Sequence, residues 1–163
     1  MINILTSLPK TILSGFLLLL VIIGFNSSVL DFTFDYVYTV FFFRWLHVLS
    51  GVMWIGLLWY FNFVQIPSMP NIPDDQKPAI AKVIAPSALF WFRWAALATL
   101  ISGLILAHLN GYIHDALTLN SSEPKSLMIG IGMWLGIIMA LNVWGVIWPN
   151  QKRALGIVDC DPD

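Results

Sequence analysis

Charge is what this sequence has least of. Asp, Glu, Lys and Arg make up 10% of the 163 residues against 58% hydrophobic ones, and mean hydropathy is +0.80. That balance lies far outside the soluble globular range and makes lipid the solvent for most of the chain. Lys and Arg total 8 and the net charge is −1, so there is no concentrated basic face for a nucleic acid. The single cysteine, Cys160 in the acidic run Asp159-Cys160-Asp161, excludes an internal disulfide and a C-x-x-C-H attachment of c-type haem. Any c-type cytochrome is therefore expected on another chain. No H-E-x-x-H, P-loop or G-x-S-x-G motif is present, which leaves hydrolytic and nucleotide-driven chemistry without support, and no metal site is assigned.

What is present is four apolar runs, each near the roughly 20 residues needed to cross about 30 Å of hydrocarbon. They predict an all-α integral membrane four-helix bundle forming one domain over residues 1–163, with spans at about 11–30, 37–64, 83–107 and 126–148. The first run follows Lys10 but has no A-x-A cleavage site after it, so it reads as a retained helix, spanning or tilted in the interface. Pro67 and Pro70 are expected to end the second helix, and Pro73 to Pro78 to form a solvated connector. Pro86 falls near the entry of the third helix, and Pro149 closes the fourth. Lys10, Lys77, Lys82, Lys152 and Arg153 fall on one side of this path and only Lys125 on the other. The positive-inside rule then places both termini in the cytoplasm, for a multi-pass protein of the bacterial inner membrane.

Two arginines fall inside predicted spans, and neither span contains an acidic residue. A lipid-facing arginine at the bilayer centre costs at least about 2.5–3.5 kcal/mol, so Arg44 and Arg93 call for a partner. The candidates are an anionic substrate, a haem propionate, a partner subunit or backbone carbonyls. For Arg44, snorkelling to the outer headgroups is an equal alternative. Both sit in one phrase, Phe42-Phe43-Arg44-Trp45 and Trp91-Phe92-Arg93-Trp94, whose aromatic rings offer stacking and cation–π shielding.

His47 is the one histidine within a span, and Arg44, Ser50, Gly51 and Trp54 share its face at helical spacing. A hydrogen-bonded structural role, ligation of haem or a metal, and proton transfer are all open to it. His108 and His114 fall at or beyond the end of the third helix and read as solvated. Gly132, Gly136 and Ala140 recur at four-residue steps, a smooth strip for helix packing, and Asn142 nearby needs an amide partner across the bundle.

Three phrases carry a family resemblance: Arg44 to Gly56 (RWLHVLSGVMWIG), Trp91-Phe92-Arg93-Trp94 with Ser102-Gly103, and Asn142 to Lys152 (NVWGVIWPNQK). Together they resemble the N-terminal membrane domain of bacterial membrane-bound urate oxidase (urate hydroxylase) over residues 40 to 155. The resemblance implies oxidation of urate, with electrons passed to cytochrome c rather than directly to oxygen. It also implies that Arg44, His47, Trp54 and Arg93 contribute to a ligand site. This sequence holds about half the helices of the family's membrane domain and no cytochrome c module. A homo-oligomer or other membrane subunits, and a separate cytochrome c, are then the expected partners. A fainter likeness of the His47 helix to haem-binding membrane protoporphyrinogen oxidases adds b-haem as a candidate cofactor, with His47 as axial ligand. The alternative is a non-catalytic accessory subunit of a larger respiratory or oxidase complex.

Overall fold

The computed structural model describes residues 5–29, 35–120 and 122–154; Leu30, expected to close the first span, and the Cys160 tail lie outside them. Every element among the described residues is helical. Four helices are long and apolar enough to cross a membrane: α1 (Leu8–Val29), α2 (Tyr36–Asn71), α3 (Lys77–Leu109) and α5 (Pro124–Arg153). A short α4 (Ile113–Leu117) joins α3 to α5. This is the architecture of a multi-pass membrane protein.

Residues 1–39 and 40–163 form two compact units. In the first, α1 is about 33 Å long at 1.5 Å per residue, and no residue in it is buried. Its polar side chains turn back onto the helix, Asn26 donating to the Ile22 carbonyl (2.9 Å) and Ser28 to that of Phe25 (3.1 Å). Such internal satisfaction is what an apolar solvent demands. The Asp35 carboxylate accepts the Tyr38 backbone N–H at 2.8 Å, an N-cap that fixes where α2 begins.

In the second unit α2, α3 and α5 enclose a core of Trp54, Phe92, Ala95, Ala96, Ala140 and Val143. Small residues dominate it, as expected where helices associate in lipid by close approach rather than by a hydrophobic drive. Phe61 of α2 meets Phe92 of α3 edge-on at 6.1 Å, and Trp94 of α3 meets Trp144 of α5 at 5.7 Å.

The helices outrun the predicted spans because prolines do not stop them. Each of Pro67, Pro86 and Pro149 follows a widened, π-helical turn: Tyr60–Gln65, Ile80–Ile84 and Val143–Ile147. The residue before each proline donates its N–H five residues back, Ile66 to Phe61, Ala85 to Ile80 and Trp148 to Val143. A proline inside a regular helix removes one N–H and drives its ring against the carbonyl four residues earlier. Widening the turn carries that carbonyl aside, so the helix continues. Pro67 and Pro149 thus lie within their helices rather than at the ends expected for them. The connector Ile72–Gln76 remains a polar link, with Lys77 paired to Asp74 at 2.6 Å.

Gly132 and Gly136, the expected packing strip, have open space where a Cβ would stand; Ala140 alone of the three is buried. The close approach in α5 is at Gly130, where a Cβ would run into the carbonyl oxygen of Ala116 in α4. Asn142, expected to reach across the bundle, is exposed, because Ala140 and Val143 take the buried face. Thermal unfolding in detergent should show Gly130→Val losing about 1–3 kcal/mol by overpacking, and Gly132→Ala staying within about 0.5 kcal/mol of the parent.

Candidate functional site

Two chambers lie in the second unit, at different levels along the helices. The first, about 300 Å³, has His47, Trp54, Thr99, Gly103, Tyr112 and Met133 among its lining residues, with Gly132 and Gly136 forming a bare wall on α5. The second, about 400 Å³, is lined by Phe61, Asn62 and Gln65 of α2, Leu89 and Phe92 of α3, and Gln151 of α5. Trp54, Phe92, Ala95 and Ala96 belong to the packed core that these chambers flank.

His47 is held by α3. Its Nδ1 lies 3.0 Å from the Thr99 carbonyl oxygen and 3.3 Å from the Ser102 hydroxyl. The Ser102 hydroxyl donates to the Ala98 carbonyl at 2.6 Å, and the Thr99 carbonyl can only accept. Nδ1 therefore carries the proton, and Nε2 keeps its lone pair free for a proton or an electrophile. Ser102 takes this position because it is buried at 2% exposure beside Gly103, whose missing side chain makes room for the ring. A Cβ on Gly103 would stand 2.8 Å from His47 Cε1. Trp54, also lining this chamber, has its indole N–H buried without a hydrogen-bond partner.

The two arginines part company. Arg93, midway along α3, is 8% exposed and lies flat on Trp148 of α5, its Cζ 3.2 Å from the ring centroid. Its Nε and Nη1 are buried without a hydrogen-bond partner. Arg44 is exposed, and no carboxylate among the described residues pairs with it. The shared aromatic phrase does not give the two a common setting: Trp91 and Trp94 are exposed, and the ring that shields Arg93 belongs to another helix. Of the four expected site residues, His47 and Trp54 share a chamber, and Arg44 and Arg93 do not line it. His108 and His114 are exposed, and no group of three metal-ligating residues occurs among the described residues.

The His47 chamber is at the small end of ligand sites, which run from about 300 to 1,000 Å³. A fused two-ring molecule suits that volume. Thr99, Tyr112 and Met133 join the site only through the fold, since no motif marks them. Gln65 and Gln151 had one signal, an amide at the end of an apolar span.

Comparison with protein-family models, curated proteins and solved structures finds no match to this chain.

Nitrogen-15 spectra of histidine-labelled protein should show His47 protonated at Nδ1. Gly103→Ala should shift that signal and cost about 1–3 kcal/mol, the range for overpacking a core; an unchanged spectrum would mean the ring is not held as described.

Proposed function

We propose that this chain is a urate-oxidase-like redox protein of the bacterial inner membrane, with both termini cytoplasmic, binding a planar ligand against His47. The observation that carries this is the imidazole with Nδ1–H tied to Thr99 and Nε2 free on a chamber of fused-ring size. The unpaired Trp54 N–H supplies a donor to the same ligand. Urate suits such a place: its rings offer flat faces to the aromatic wall, and its carbonyl and N–H groups match a donor and an acceptor. Its oxidation adds water and releases two electrons and two protons. His47 Nε2 is the base positioned to take a proton, and a separate cytochrome c takes the electrons.

The test is reduction of cytochrome c by urate with purified protein in nanodiscs. Turnover should fall by about 10²–10⁴-fold in His47→Ala, the usual contribution of a positioned base. Absence of both turnover and any urate-induced thermal stabilisation overturns the reading.

One pair of observations favours a second reading, that of an accessory subunit in a larger respiratory or oxidase assembly. Arg44 and Asn142 both belong to apolar helices and both are exposed. Polar groups facing hydrocarbon are costly, so a second copy or another membrane subunit covering them would relieve the cost. Native mass spectrometry from mild detergent should then show an oligomer or complex that Arg44→Leu weakens. A monomer in the parent protein rules this reading out.

A further inference from the structure

The larger chamber has no part in the readings above. Each of the three widened turns contributes to it: Phe61, Asn62 and Gln65 from the first, Ala81 from the second and Ile147 from the third. Turns of this kind recur at functional sites. α2 is about 54 Å long at 1.5 Å per residue and extends past a hydrocarbon layer of about 30 Å. Gln65 stands near its end, before the polar connector Ile72–Gln76, and Gln151 stands near the end of α5. The chamber thus lies toward one end of the helix packing, where apolar helix gives way to polar link.

No charged side chain lines it. Its amides are Asn62, which already donates to the Leu58 carbonyl at 2.8 Å, Gln65 and Gln151. The side-chain carbonyl oxygens of Gln65 and Gln151, on two different helices, are buried without a hydrogen-bond partner. Buried polar groups are otherwise almost always satisfied, so what this place lacks is a pair of donors. The terminal torsion of a glutamine is soft, and each amide can turn its oxygen toward the cavity it lines. With no counter-charge in the lining, an ion would lose its hydration without compensation, which favours a neutral ligand. The rest of the wall is apolar, Phe61, Phe92 and Leu89 among it, so the donors belong on an apolar body.

We propose that this chamber is a second binding site, separate from that of His47, for the head of a neutral, lipid-soluble diol. One hydroxyl donates to Gln65 and the other to Gln151. Phe61, Phe92 and Leu89 pack against the head, and the tail stays in lipid. At about 400 Å³ the chamber takes a single six-membered ring or a glycerol unit. A hydroquinone and the glycerol head of a monoacylglycerol share this chemistry.

The experiment is thermal unfolding of the full chain in phosphatidylcholine nanodiscs, under argon, with decylhydroquinone or with decylbenzoquinone, which keeps ring and tail but has no donor. The hydroquinone should stabilise, and the quinone should bind roughly fivefold or more weakly, as two lost hydrogen bonds imply. Gln65→Leu and Gln151→Leu should each reduce the hydroquinone shift, and the double variant should bring it down to the quinone's. His47→Ala should leave it unchanged. The comparison of the two ligands on the parent protein needs no variant to fold. Stabilisation by monodecanoylglycerol and not by decylhydroquinone, lost in the double variant, assigns the site to a glycerol head. Stabilisation that the quinone matches, none by either diol, or a shift that the double variant keeps or His47→Ala loses, overturns the proposal.

Discussion

A guanidinium resting on an indole in the middle of an apolar helix packing is the contact around which the second unit is organised. Arg93 on Trp148 ties α3 to α5, next to the contact of Phe92 with Phe61 that joins α3 to α2. Stacking meets part of the cost of keeping a cation out of water, since the ring face is electron-rich and guanidinium sheds its hydration more readily than ammonium. Its hydrogen-bonding edges are not met in the same way. Nε and Nη1 remain buried without a hydrogen-bond partner.

The structure separates what a single site was expected to combine: His47 lines a chamber, and Arg93 lines neither of the two. His47 offers a directional lone pair and no fixed charge; Arg93 offers charge and no role for a proton. Ala96, in the packed core that both chambers flank, is among the most deeply buried of the described residues.

Helix number and class were legible because apolar runs of about 20 residues interrupted by polar links admit few structures in lipid. Their ends were less so. Pro67 and Pro149 read as stops, since a one-dimensional reading counts the missing N–H but not the i→i−5 bond that lets the helix pass. The His47 and Trp54 face was readable from helical spacing. Arg44 satisfies the same spacing and yet is exposed, because spacing defines a stripe and not where a neighbouring helix ceases to cover it. Trp148 as the mate of Arg93 was not readable at all, for the two are far apart in the chain and meet only through the antiparallel pairing of α3 and α5. The glycine strip misled for a related reason: absence of a side chain permits either close contact or empty space, and in this chain Gly130 has the first and Gly132 the second.

Each proline-linked turn holds one residue more than a regular helix would use. Excising a single residue from any of them would restore ordinary pitch and re-aim the side chains of that turn, while the helix beyond it stayed in phase. The vestibule lined by Gln65 and Gln151 is therefore encoded by chain arithmetic as much as by side-chain identity. A relative with every lining residue intact but one position shorter in such a turn would present a different surface to whatever enters.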